Sequence, residues 1–285
     1  MKRISRHWIN RCFVFAAWTA AGLCGLLLAG LLAAITWKGM GAMNPEFLLT
    51  RARDFGSAGG IFYQLAGSLL LVVAAALLCF PVAVGTALFK SEYLRSKRLK
   101  HLSTLLVYGL NGVPSIIFGI FGLIFFVNVL DTGVSWFVGS VILAMMMLPT
   151  VVQAAYQAIE SIPTMYRESA RALGLSKWQI VVKVLLPQGL GGAITGLFLG
   201  LARAVGETAP IMFIATAFSG VDVPGSLFEP VTTLPTHLLA LAQQATDPQA
   251  LQNAWGTGLV LMGLVTCFSV LGLVSRTKLR RFSQR

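Results

Sequence analysis

The sequence predicts an all-α integral membrane protein with six transmembrane helices and both termini cytoplasmic. Three observations lead there. The 285 residues are 56% hydrophobic and 11% charged, with a mean hydropathy of +0.78, whereas a soluble domain carries about 25% charged residues. Six apolar runs reach the roughly 20 residues needed to cross a bilayer. Eighteen of the 22 lysines and arginines fall on one side once those runs are threaded through a membrane. Each run must be helical, because a lone strand in lipid leaves its backbone polar groups unpaired.

The first span, 12–37, follows Lys2, Arg3, Arg6 and Arg11. Its apolar stretch exceeds the 7–15 residues of a cleavable leader, so it reads as an uncleaved helix. Segment 38–60 carries the turn-forming stretches NPEF and DFGSAGG, with Lys38, Arg51 and Arg53 outside. The second span, 61–90, enters a loop with Lys90, Arg95, Lys97, Arg98 and Lys100. The third, 105–130, contains Asn111 and Ser115 on either side of Pro114. That proline reads as a helix kink, and the two polar residues read as neutral donors. The fourth span, 134–157, is followed by loop 160–187 with Arg167, Arg171, Lys177 and Lys183. After the fifth span, 189–218, a second outer segment, 219–255, carries four prolines, Asp222, Glu229 and Asp247, but no Lys or Arg. Its stretch THLLALAQQA reads as a short interfacial helix. The sixth span, 256–275, ends in a tail with Arg276, Lys278, Arg280, Arg281 and Arg285. Basic loops stay cytoplasmic, so both ends face inward. The chain reads as one transmembrane domain, 1–285, without internal repeat or detachable soluble unit.

This distribution excludes some classes. The net charge of +12 is spread over four segments, each beside a span. It signals topology and contact with anionic membrane lipid, and no nucleic-acid partner. Cys12, Cys24, Cys79 and Cys267 lie in or beside spans without a C-x-x-C pair and read as packing residues. His7, His101 and His237 fall in separate regions, so no metal site is expected.

The stretch ESARALGLSKWQIVVKVLLP, Glu168–Pro187, is too charged to cross lipid. Ile162-Pro163 opens a helix, as Pro suits the first turn, and Gly174 stops it. Ser176 and Gln179 form a capping box for a second helix. Trp178, Val181, Val182 and Leu185 follow a helical period and predict one apolar stripe, which Pro187 closes. Two short helices joined at a glycine can dock into a partner's groove.

This stretch resembles the coupling loop of ATP-binding-cassette importer permeases, EAA-x3-G-x9-I-x-L-P. Glu168, Ser169 and Ala170 stand at the EAA positions, Gly174 at the glycine and Pro187 at the proline, with Ser169 and Val184 as departures. GVPSIIFGIFGLIFFV, LARAVGETAP and SLFEPVTTLPTHL resemble the phosphate-specific transport permeases, and the last of these the PstA-type subunit. The resemblance implies a type I importer fold in a bacterial inner membrane. It also implies an ATPase dimer (PstB-like), a second permease (PstC-like) and a periplasmic or extracellular phosphate-binding protein (PstS-like). The chain has no G-x-x-x-x-G-K-[ST]. It is therefore expected to bind no cofactor and to act as no enzyme, with ATP-Mg on the partner ATPase. A permease of the same superfamily for sulfate or molybdate is the alternative.

Arg203 and Glu207 are the charged residues well inside a span, and four apart they share a helix face. Gly192, Gly196 and Gly200 continue that stripe and favour close helix packing. The pair reads either as a structural ion pair or as the place where Arg203 meets an anion, since a guanidinium fits an oxyanion bidentately. With Asn111 and Ser115 it forms the expected substrate pathway. The topology has a direct test. Reporter fusions after Leu234 should register outside and fusions after Arg276 inside; the reverse pattern would overturn it.

Overall fold

A computed structural model describes residues 6–217, 223–244 and 246–282. Lys2, Arg3, Ser219, Asp222 and Arg285 lie outside the described residues, as do the side chains of Arg6, His7, Lys278, Arg280 and Arg281. The long helices are α1 (Arg6–Met40), α3 (Phe62–Tyr93), α6 (Trp136–Glu160), α8 (Lys177–Val205) and α11 (Pro248–Phe282). Between them lie α2 (Pro45–Leu49), α4 (Lys97–Asn111), α5 (Ser115–Val129), α7 (Thr164–Ala172), α9 (Ala209–Ile214) and α10 (Leu234–Gln243). A two-stranded hairpin, β1 (Ala52–Arg53) and β2 (Ala58–Gly59), is antiparallel, with Ala52 opposite Gly59.

Helix α6 is the centre of the bundle. Its Ile142, Leu143, Met147 and Val151 are buried against Leu71, Val72, Ala75 and Cys79 of α3 and Ile211 and Ile214 of α9. The small-residue stripe of α8 packs on it as the spacing predicts. A Cβ on Gly192 or Gly196 would overlap the methyl of Ala158 or Ala154, so these backbones touch because neither glycine has a side chain. Helix α1 leaves its apolar faces open, as lipid permits. Near its end, Gly39 lies against Leu259 and the Trp255 carbonyl, and Gln252 donates to the Gly41 carbonyl at 2.9 Å.

The structure corrects several expectations. The third span is not one helix over 105–130: α4 begins at Lys97, and α4 and α5 meet at 89°. Pro114 has no N–H and pushes Val113 out of the helical region, so the chain turns there. The fifth span breaks too, because α8 ends at Val205 and α9 restarts at Ala209-Pro210. Pro187 does not end a helix; Lys177–Val205 is continuous. A π-helical turn at Val181–Leu185 precedes that proline, where the i→i−4 ladder must adjust. The stretch THLLALAQQA is helical up to Gln243 as part of α10, and Leu234, Pro235, Thr236, His237 and Leu241 of that helix are buried in the protein.

Polar groups tie α10 and the outer hairpin down. The Leu234 N–H donates to Ser68 Oγ at 2.8 Å, and Asn253 Nδ2 donates to the carbonyls of Gly56 and Ser57 at 3.0 and 2.9 Å. Gly56, at φ 100°, passes against the His237 ring, where a Cβ would collide. Burial pushes the His237 imidazole down to about 4, because the apolar surroundings disfavour its charged form. The unfolded imidazole titrates near 6.5. Stability is therefore full above that pH and falls as pH drops from about 6.5 to 4, by up to about 3 kcal/mol. Thermal unfolding of the detergent-solubilised protein across this range should show the slope, and His237→Gln should flatten it. An equal slope in the variant would remove His237 as the cause.

Candidate functional site

Both helix breaks meet at one place. Asn111 is the last residue of α4, and Arg203 sits in the last turn of α8. Arg203 Nη1 donates to Asn111 Oδ1 at 3.2 Å, and Arg203 Nε donates to Glu207 Oε1 at 3.3 Å. Three of the four expected pathway residues are thus in one hydrogen-bonded group. Ser115 opens α5 on the far side of the turn and makes no hydrogen bond to that group among the described residues. The Arg203 side chain is 43% exposed and Glu207 16%, so the guanidinium opens to a surface with most of its donors free.

The backbone around this group is locally satisfied. Gly112 N–H donates to Tyr108 O, Gly206 N–H to Arg203 O and Glu207 N–H to Ala204 O. The restarting helices α5 and α9 hold each other, because Gly119 lets the Pro210 backbone approach. Discontinuous helices facing a cationic side chain are how membrane proteins build polar sites at depth, since irregular backbone survives only where protein or water covers it.

The second candidate element is the hairpin of α7 and the start of α8. Gly174 has φ 77°. Leu175 N–H donates to Ala170 O at 3.1 Å and Gly174 N–H to Arg171 O at 2.9 Å, the two bonds of a Schellman cap. The capping box is present: Ser176 Oγ accepts from Gln179 N–H, and Gln179 Oε1 accepts from Ser176 N–H. The apolar stripe differs from the sequence expectation. Ile180, Val181 and Leu185 are buried with Ile162 and Ala170, while Trp178 is 67% exposed and Val182 is exposed. Ala170 is thus a packing residue of the hairpin, and Glu168, Ser169, Gly174 and Pro187 face outward. Met165, Tyr166, Leu173 and Trp178 give this polar tip an apolar surface.

Sequence reasoning missed the base of the hairpin. Glu92, at the π-helical end of α3, lies 3.1 Å from Arg167 Nε and 3.9 Å from Arg171 Nη2. Arg167 Nη2 also donates to Ile159 O at 3.0 Å, and Ser91 Oγ donates to Glu160 Oε1 at 3.0 Å. The available signal was Glu92 and Glu160, two carboxylates within the lysine- and arginine-rich segments 90–100 and 160–187.

The five long apolar helices, with α4 and α5 as a bent pair, make a multi-span membrane bundle. Residues 80–281 match the family of binding-protein-dependent transport system inner membrane components, and the chain belongs to that family. It is 31% identical over 265 residues to a probable ABC transporter permease protein, YqgI, of Bacillus subtilis strain 168, covering 87% of this chain and 90% of that one. It is 32% identical over 222 residues to the phosphate transport system permease protein PstA of Mycobacterium leprae strain TN, covering 77% and 71%. Among solved structures, a bacterial alginate ABC transporter crystallised with alginate pentasaccharide-bound periplasmic protein superposes with a TM-score of 0.64. It is 17% identical and covers 99% of this chain and 98% of that one, a likeness of fold. The chain is therefore a multi-pass inner-membrane permease subunit of an ABC importer, with ATP hydrolysis on a separate subunit.

The geometry at Gly174 yields a test of the hairpin. Open space surrounds a Cβ there, so Gly174→Asn should cost only the strain of positive φ, about 1 kcal/mol or less for a residue that tolerates it. Gly174→Pro is incompatible with φ 77° and removes the N–H bonded to Arg171. We expect proteolysis at the hairpin in the proline variant, with normal membrane insertion and abundance, and near-native protection in the asparagine variant. Equal protection in both would show that the cap does not hold the hairpin.

Proposed function

We propose that this chain is the PstA-type permease subunit of an ATP-driven inorganic phosphate importer. The observation that carries the reading is Arg203. Its guanidinium stands where two spans break, held by one carboxylate and one amide, with the remaining donors open. An Arg at mid-bilayer costs roughly 2.5–3.5 kcal/mol on insertion scales, so an arginine within a span asks for a use. A planar fork of donors matches a phosphate oxyanion. Glu207 and Asn111 hold the fork in place when no anion is present, and Glu207 limits how tightly the anion binds. Ser115 supplies a hydroxyl at the opening of α5. The likeness to the M. leprae PstA supports phosphate as the cargo.

The hairpin supports the coupling role. Glu168, Ser169, Ala170, Gly174 and Pro187 form the motif that docks a PstB-like ATPase dimer, which carries ATP-Mg; this chain binds no cofactor. A PstC-like permease completes the membrane pair, and a PstS-like binding protein delivers phosphate to the outer face. Both termini are cytoplasmic on this reading. Sulfate or molybdate is the alternative cargo, since the family as a whole is wider than phosphate.

Radiolabelled phosphate uptake, normalised to membrane abundance, tests this on Arg203→Gln, Glu207→Gln and the double variant. A purely structural pair suffers most when one charge is left alone, so the double variant would regain abundance and uptake. If Arg203 contacts the anion, the double variant inserts normally and stays inactive, and Arg203→Lys is at best partly active. Wild-type uptake by the double variant would end the anion-contact reading, and competition of uptake by sulfate or molybdate would move the cargo.

A further inference from the structure

A series of polar contacts, linked through the backbones of α3 and α4, runs from the base of the hairpin to the Arg203 group. It begins at Glu92, whose side chain is 7% exposed and faces Arg167 and Arg171 of α7. Arg167 Nε is 3.1 Å from the carboxylate yet makes no directed hydrogen bond to it, so charge attraction holds the two. Two residues back, Lys90 is buried, donates to Thr104 Oγ1 of α4 at 2.8 Å and lies over the Tyr156 ring of α6 at 4.2 Å. Lys100 of α4 reaches back to the Ser91 carbonyl at 3.4 Å.

Helix α4 is unusual in this bundle because none of its residues is buried. Apart from the half-buried Val107, which touches the core, polar side-chain contacts anchor it: Lys90–Thr104 near its start, Gln153 Nε2 donating to Tyr108 OH at 2.8 Å, and Asn111–Arg203 at its end. A helix held this way can shift without opening a void, whereas α6 cannot. The Glu92–Lys90 segment is itself a π turn, Phe89–Tyr93, a local distortion often found at functional sites.

We propose that Glu92 is a positioning residue, which passes movement of the hairpin through Lys90 and α4 to Asn111 and so to Arg203. The inference rests on reading the hairpin as the ATPase dock. Glu92 senses α7 by charge, Lys90 carries the displacement into α4, and Asn111 changes the hold on the Arg203 guanidinium. The substrate group would then be released or engaged in step with ATP-driven closure below.

The test uses the complete transporter in lipid vesicles, with native cysteines of this chain replaced by alanine and nitroxide labels at the exposed Leu77 of α3 and Leu106 of α4. ATP-Mg with vanadate should change the inter-label distance in the otherwise wild-type protein. Glu92→Gln and, separately, Thr104→Val should abolish that change while the ATPase stays bound. The same variants should raise ATP hydrolysed per phosphate imported by about fivefold or more, the lower end of coupling between distant sites. The double variant should be no worse than either single one, because both interrupt one route. Thr104 is only half-buried, so its isosteric valine keeps the test open should Glu92→Gln fail to assemble. A distance change that persists in both variants, or that is absent from the wild type, overturns the inference. Failure of the phosphate reading would look different, with no phosphate uptake but an intact, Glu92-dependent distance change.

Discussion

Every backbone N–H and C=O that enters hydrocarbon must find a partner inside the protein, and this constraint shapes the whole bundle. Long helices meet it without help, which is why α1 can stand almost alone against α11. Breaks are harder. The turn at Gly112–Pro114 and the turn at Gly206–Thr208 close their own hydrogen bonds within a few residues, and the segments that resume, α5 and α9, lean on each other. Beyond α9 the chain is paired again, as Val231 N–H donates to Ala215 O and Ser135 N–H to Ile214 O. The two breaks thus lie beside each other at Arg203, where α5 and α9 also meet.

The charges are treated differently at the two depths. At the base of the hairpin, Glu92 and Arg167 are both largely shielded, so removing either would strand the other. Around Arg203 the partners are fewer and the side chain is more open. The first arrangement favours a fixed joint, and the second leaves an arginine with capacity to spare.

Much of the architecture was legible because lipid simplifies the code. Apolar runs mark spans, and the glycines of α8 announce close packing with α6. Arg203 and Glu207 were visible because charges in a span are rare. What the sequence hid was tertiary. Pro114 was read as a kink, yet whether such a residue bends a helix slightly or turns it by 89° depends on what packs beyond it, here Gly119 on Pro210. Pro187 looked like a stop because nothing local reveals the π turn that absorbs it. Trp178 and Val182 share a helical period with Val181 and Leu185, but burial followed the α7 side of the hairpin. Glu92 was hidden by distance, since its partners lie some 75 residues on in the chain.

The uninterrupted course of α8 has a geometric consequence. The helix begins at Lys177, on the capping box of the exposed hairpin, and reaches Arg203 without a break. At 1.5 Å per residue these two points are about 39 Å apart. A lever of that length magnifies small angles: a pivot of roughly 5° at the hairpin, with none of it taken up at the π turn of Val181–Leu185, would sweep the far end sideways by about 3 Å. That sweep is as long as the bond between Arg203 and Asn111, 3.2 Å. The close packing of Gly192 and Gly196 on α6 opposes such a sweep, which leaves the grip on the guanidinium to be adjusted from the looser α4 side.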